Sequence, residues 1–262
     1  MKLADELRGD AGTARLKAAC ERGFGVAFRA LAPVAGGHSS WNYRAETSEG
    51  ARHFVKVTSR ESAARQLRCL GAIDSPLVPK LSFGGKTFEL ADRVVLATSW
   101  VDDAAPVDPE KLTAGEMRAL LDAYAELARG LPAGMIHGDL HCGNVLYRAG
   151  RVVAFVDFEM MRLGLPTEDL SRVFVHAMER TRFWRVIRHG RTFRNFATVV
   201  RESRYPERDW LAALERYFAH KRARRLAKAS RHPLLLRFET GLRMPFYRKL
   251  VSIIKKEKGN RK

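Results

Sequence analysis

Two short stretches hold residues whose types and spacing suit a reaction. His137-Gly138-Asp139-Leu140-His141-Cys142-Gly143-Asn144 sets a carboxylate shortly before a carboxamide. An apolar run, Val152 to Val156, then closes on Asp157-Phe158-Glu159. A carboxylate can orient a hydroxyl and accept its proton, and carboxylate and carboxamide oxygens are hard ligands for a divalent cation. A phosphoryl transfer asks for these groups, because its transition state needs positioning and charge neutralisation more than covalent chemistry. The apolar flanks place the polar groups at strand ends, where a rigid scaffold holds them in register.

The order His-Gly-Asp, four residues, Asn, then Asp-Phe-Glu resembles the aminoglycoside phosphotransferase and choline kinase superfamily. Eukaryotic protein kinases usually carry Arg between that His and Asp and Gly after Asp-Phe. Here Gly138 and Glu159 fill those places, as in the small-molecule branch. Upstream, Gly36-Gly37-His38-Ser39-Ser40-Trp41-Asn42-Tyr43-Arg44 resembles the family's nucleotide-covering loop. Phe54-Val55-Lys56-Val57 is similar to the strand whose Lys contacts the α- and β-phosphates. Thr98-Ser99-Trp100-Val101 resembles the hinge segment whose backbone meets adenine, and Thr167-Glu168-Asp169-Leu170 resembles the family's Asp-Leu. The resemblance covers about residues 34 to 172 and is weak over the last ninety or so.

Carried over residue by residue, the resemblance implies ATP and Mg²⁺ as cofactors. Asp139 becomes the catalytic base or hydroxyl-orienting group, and Asn144 and Asp157 become the metal ligands. Lys56 neutralises the phosphates, with Gly36, Gly37, Ser39, Ser40, Thr98, Ser99 and Trp100 around the nucleotide. His137 braces the loop, Asp169 is structural, and Glu159 helps a second metal or orients Asp157 through water. His141 either lines the acceptor pocket or points to solvent. In the family, the helix after the Lys strand donates a Glu that pairs with that Lys. Glu61 is the acid available there, but it stands in the first turn, earlier than the pattern. Stabilising the helix macrodipole is its equally good alternative role.

Elements with the right periodicity stand around these residues. Thr13 to Arg22 reads as a leading helix; Val26 to Ala32, Val34 to Thr47 and Arg52 to Thr58 read as strands, with Gly36-Gly37 at a bend. Ser59 caps a helix over Arg60 to Ala72, with Ala63, Leu67, Leu70 and Ile73 along one seam. Leu81 to Phe83, Phe88 to Ala91 and Arg93 to Ala97 complete a small antiparallel sheet. Thr113-Ala114-Gly115-Glu116 is a capping box opening a helix through Arg129. Helices follow over Thr167 to Glu179 and around residues 182–202, 207–229 and 233–257. The expected fold is α+β and bilobal, protein kinase-like, with a small antiparallel N-lobe over residues 1–99 and a mainly helical C-lobe over 100–262. About ten residues separate Glu159 from Asp169-Leu170, too few for an activation segment with a peptide-docking platform. This short spacing weighs against phosphorylation-controlled protein kinase activity.

Composition narrows the partners. No apolar stretch reaches the ~20 residues that span a bilayer, and Met1-Lys2-Leu3-Ala4-Asp5-Glu6 lacks the apolar core of a signal peptide. Cys20, Cys69 and Cys142 form neither a disulfide framework nor a zinc signature, which fits a reducing, cytoplasmic setting. The net charge is +18, and its distribution is lopsided. From Arg180 onward there are 25 Lys and Arg against 6 Asp and Glu, a net of +19; the first 179 residues hold 22 against 23, a net of −1. Such a field repels a polycation and concentrates an anionic acceptor: a phosphorylated sugar, an acidic nucleotide-like metabolite or the inner core of lipopolysaccharide. Lipopolysaccharide core kinases share the catalytic pattern.

The segment 246–256 sets Phe246, Leu250, Ile253 and Ile254 at helical spacing among Arg248, Lys249, Lys255 and Lys256. This suits either an anionic membrane face, peripheral on the inner membrane, or an apolar stripe packed on the protein with a solvated basic face. Lys221-Arg222-Ala223-Arg224-Arg225 has no interleaved aromatics, which weighs against nucleic acid. The expected activity is phosphotransfer from ATP to an alcohol on an anionic sugar or glycolipid. The alternatives are a small-metabolite kinase for choline, an amino alcohol or an aminoglycoside, and a non-catalytic nucleotide- or RNA-binding relative.

Overall fold

The structure is a computed structural model that describes residues 9–34, 40–107, 111–180, 190–229 and 247–258. It has the expected α+β make-up and divides into two compact units. The first comprises the chain up to Asp103 together with Val156–Met160, and the second comprises Ala104–Phe155 and the chain from Met161 onward.

In the first unit, helix α1, Gly9–Phe24, extends beyond the predicted Thr13–Arg22 at both ends. Glu21 ties its end to the sheet, accepting from Lys17 Nζ at 2.8 Å and from the Phe28 N–H at 3.0 Å. Strands β1 (Phe28–Val34), β2 (Trp41–Thr47), β3 (Arg52–Ser59), β4 (Phe88–Leu90) and β5 (Arg93–Ser99) form one antiparallel sheet in the order β1-β2-β3-β5-β4. The predicted bend at Gly36-Gly37 lies outside the described residues. Alternation sends Val55, Val57, Val95 and Ala97 into a core with Leu16, Cys20 and Phe24 of α1. Lys56, Thr58, Leu96 and Thr98 take the opposite face by the same alternation and are also buried. Gly23 is required by packing: a Cβ there would stand 2.2 Å from Phe88 Cδ1.

One strand prediction fails. Of Leu81 to Phe83, only Leu81 makes a bridge, to Thr98. Phe83, Gly84 and Gly85 have φ of 53°, 64° and 77°, a left-handed run that turns the chain instead of extending it. The next helix, α2, Arg60–Ala72, begins as predicted, with Ser59 Oγ accepting the Ser62 N–H at 3.2 Å. Its predicted seam is only partly buried: Ala63 and Ile73 are buried but Leu67 and Leu70 are half-buried, while Ser62 and Gln66 beside them are also buried.

The second unit holds β6 (Ala105–Pro106), α3 (Ala114–Gly130), β7 (Met135–Ile136), β8 (Val145–Arg148), β9 (Arg151–Phe155) and β10 (Arg162–Leu163). Helices α4 (Pro166–Arg180), α5 (Gly190–Glu202) and α6 (Glu207–Ala229) follow, and residues 247–258 form α7. Strands β6, β8 and β9 make one antiparallel sheet, and β7 pairs with β10. The capping box of α3 forms in full: Thr113 Oγ1 accepts the Glu116 N–H at 3.2 Å and Glu116 Oε2 accepts the Thr113 N–H at 2.8 Å. Tyr124 and Phe155 meet edge to face, as do Phe174 with Phe196 and Phe196 with Trp210. Trp210 satisfies its indole by donating to Ser203 Oγ at 3.2 Å. In α7, Leu250 and Ile254 are fully buried, whereas Arg248, Lys249, Lys255 and Lys256 are exposed. The apolar stripe therefore packs on the protein. Residues 181–189 and 230–246, within two of the predicted helices, lie outside the described residues.

Candidate active site

In the second unit, strands β7 and β8 bracket the loop from His137 to Asn144, and β9 pairs beside β8. The loop is clamped from below by Asp169, near the start of α4. Its Oδ2 accepts the His137 N–H at 2.7 Å and the Tyr124 hydroxyl at 2.8 Å, and its Oδ1 accepts the Gly138 N–H at 2.9 Å. Burial holds the Asp169 carboxyl above the ordinary carboxylate range, with the neighbouring His137 and the hydrogen bonds it accepts opposing that rise. The same burial, with the Asp169 charge beside it, drives the Tyr124 phenol well up. Gly138 adopts φ +79°, a conformation that side chains disfavour, and this accounts for glycine between His137 and Asp139.

The carboxylate of Asp139 is thus carried on a loop with few ways to move. The ring of His137 is fully buried, and its Nδ1 accepts the Asp139 N–H at 3.3 Å. Asn144 Nδ2 donates to the Asp139 carbonyl at 3.1 Å, so the carboxamide locks the loop while its Oδ1 remains an acceptor. His141 Nδ1 accepts the Gly143 N–H at 3.0 Å and closes the one-turn helix Cys142–Asn144. A Cβ on Gly143 would come 2.9 Å from that ring. Cys142 donates its thiol to the Val173 carbonyl at 3.4 Å, as a small filler would. Asp139 itself is held by the guanidinium of Arg172, whose Nη2 donates to Asp139 Oδ1.

The first unit gathers a separate cluster around Lys56. Its Nζ is 2.9 Å from Asp157 Oδ1 and 3.3 Å from Glu159 Oε2. Ser62 Oγ of α2 also donates to Glu159 Oε2, and one turn along the helix Gln66 is buried with no hydrogen-bond partner for Oε1. Asp157 sits at φ +68°, a strained position for a residue with a side chain and the kind of outlier that clusters at functional sites.

Glu61 does not join this cluster. It pairs with Arg65 at 2.8 Å one helical turn on, and its side chain is 79% exposed. Glu159 takes the place expected for it beside Lys56.

The predicted hinge segment has part of its backbone engaged by the protein itself. The Ser99 N–H donates to the Lys80 carbonyl at 2.8 Å and the Trp100 N–H to the Arg52 carbonyl at 3.2 Å, so neither is open to a base. Thr98 is buried opposite Phe54, and the Trp100 ring lies over Phe54 with centroids 6.5 Å apart. Ser40 Oγ meets Asn42 Oδ1 at 3.3 Å; Gly36, Gly37 and Ser39 lie outside the described residues.

Sequence reasoning missed Ser62, Gln66, Tyr124 and Arg172. A signal for Arg172 existed: it stands three residues past Asp169, on the same face of α4.

Comparison with known proteins bears on the family and the fold. Residues 60–214 match the model of the phosphotransferase enzyme family. No curated protein matches the chain by sequence. Among solved structures, amicoumacin kinase hAmiN in complex with AMP-PNP, Ca²⁺ and Ami is similar, with a TM-score of 0.55 and 15% identity over 81% of this chain and 83% of that one. A thermostable mutant of aminoglycoside phosphotransferase APH(4)-Ia, in a ternary complex with ADP and hygromycin B, gives a TM-score of 0.51 and 12% identity over 92% and 98%. These similarities show the kinase-like fold.

Proposed function

The chain belongs to the phosphotransferase enzyme family, and from that premise we propose that it transfers the γ-phosphate of ATP, with Mg²⁺, to a hydroxyl of an anionic sugar or a lipid-linked glycan such as the lipopolysaccharide core. The observation that carries the reading is the Asp139 carboxylate. It stands on a loop fixed through His137, Gly138 and Asn144, where it can orient a hydroxyl and take its proton. We assign nucleotide binding to the first unit, through Lys56, and acceptor binding to the second.

The donor chemistry suits Mg²⁺. Asn144 keeps a carboxamide oxygen, and Asp157 keeps a carboxylate oxygen beyond the one on Lys56. Among the described residues no three His, Cys, Asp or Glu form a metal cage. Mg²⁺ is commonly held by one or two such oxygens plus phosphates and water, and when bound it neutralises phosphate charge. Lys56 adds a fixed cation. Glu159, bonded to Ser62, holds that ammonium in place.

Charge supports the anionic acceptor over a cationic one. The two structural neighbours name amicoumacin and hygromycin B, so a small-metabolite kinase acting on an antibiotic is the second reading. Against it stands the +19 from Arg180 onward, which disfavours a cationic acceptor. Contact with an anionic membrane surface would rest on the basic face of α7 alone, since Leu250 and Ile254 are buried. No helix among the described residues is long and apolar enough to cross a membrane.

The test has two parts. Radiolabelled γ-phosphate transfer is measured to hygromycin B and to purified lipopolysaccharide core oligosaccharide. Mass spectrometry then compares envelope glycolipids from cells with and without the gene. A phosphate missing from a glycolipid of the deletion strain supports the reading. Transfer to hygromycin B alone overturns the acceptor class, and no transfer from ATP to any alcohol overturns the kinase.

A further inference from the structure

Arg172 is a cation where a kinase for cationic antibiotics would be harmed by one. It lies on α4 one turn beyond Asp169, and the clamp of Asp169 on the His137 and Gly138 N–H groups brings it to Asp139. Its Nη2 donates to Asp139 Oδ1. Its Nε is buried and has no hydrogen-bond partner among the described residues. The pair is not sealed: the side chains of Arg172 and Asp139 are 29% and 27% exposed. A guanidinium carries five N–H donors in a planar fork matched to carboxylate and phosphate. Asp139 engages one edge of that fork, and among the described residues no other carboxylate pairs with the remainder.

We propose that Arg172 is the anion-recognition residue of the acceptor site. It binds a phosphate or carboxylate carried by the acceptor close to the hydroxyl that Asp139 orients. The inference rests on Asp139 being the hydroxyl-orienting group and adds a chemical class to that reading: an alcohol bearing its own anion. A guanidinium at the base would also disfavour polycations, because like charges at short range in a partly desolvated site repel strongly.

The test uses the full chain and its Arg172→Gln and Arg172→Lys variants. AMP-PNP with Mg²⁺ is titrated first, by calorimetry. Glycerol 3-phosphate and glycerol are then titrated in saturating AMP-PNP, and phosphatidylglycerol vesicles, with phosphatidylcholine vesicles as control, separate a lipid-borne phosphate from a soluble one. The expected result is unchanged AMP-PNP affinity in all three proteins. Arg172→Gln should lose at least about tenfold in affinity for glycerol 3-phosphate or phosphatidylglycerol, in line with a lost charge-assisted bond, and Arg172→Lys should lose less. Glycerol and phosphatidylcholine should bind weakly throughout. Equal binding of the anionic probes by wild type and Arg172→Gln, or no preference of wild type for them over the neutral ones, overturns the role of Arg172 alone. Failure of wild type to bind AMP-PNP overturns the kinase reading and this inference with it.

Discussion

The ammonium of Lys56 lies 3.3 Å from Glu159 Oε2, so the acid that steadies this strand lysine comes from the segment after β9 and not from helix α2. The Lys56 side chain is only 6% exposed, and a cation so deep needs fixed partners. Glu159 in turn is held by Ser62.

Glu159→Gln keeps a side chain able to meet Ser62 and removes the charge beside Lys56. The Michaelis constant for ATP should rise about tenfold, with a smaller change in kcat, because a loosened Lys56 binds phosphate less well in ground and transition states alike. Steady-state kinetics at varied ATP decide it; wild-type constants would show that Glu159 does not position Lys56.

Asp139→Ala removes the group assigned to the acceptor hydroxyl. Turnover should fall about 10²–10⁴-fold while ATP binding stays near wild type. Single-turnover phosphotransfer, read beside AMP-PNP titration, checks both halves. Turnover that survives the substitution sinks the assignment.

Asp169→Ala strands three donors in the interior: the Tyr124 hydroxyl and the N–H groups of His137 and Gly138. The expected loss is about 3–5 kcal/mol, seen as a lower urea midpoint. Tyr124→Phe leaves Asp169 two of its three donors and should cost about 1 kcal/mol. Because both changes break one network, the double variant should lose less than the two single losses together. Strict additivity would count against a shared network.

His53 supplies the pH dependence. Its Nδ1 is 2.8 Å from Ser82 Oγ, the ring packs on Phe83, and burial lowers its pKa below the usual 6.5. The folded protein therefore favours neutral His53. That contribution is fully present above about pH 6.5 and is lost as pH falls through the lower folded value. Thermal melts between pH 5 and 7.5 should show stability rising with pH, and His53→Gln should flatten that portion of the curve. Identical profiles for both proteins would remove His53 as the cause.

The pieces that local chemistry controls were legible in the chain. Ser59 and Thr113 cap their helices because a hydroxyl facing the first turn satisfies N–H groups a few residues away. The Asp139–Asn144 loop was legible because its spacing is closed by its own hydrogen bonds, Asn144 to the Asp139 carbonyl and His137 to the Asp139 N–H. Tertiary packing decided the rest. Glu61 and Glu159 are equally acidic in the sequence; which one meets Lys56 depends on a contact 103 residues apart, which no local pattern encodes. The N–H groups of Ser99 and Trp100 are taken by the carbonyls of Lys80 and Arg52, pairings between segments distant in sequence. Arg172 drew no notice in the sequence, and only α4, anchored through Asp169, carries it to Asp139. Short-range hydrogen bonds are written in neighbouring residues, whereas ion pairs between distant elements exist only once the backbone has folded to join them.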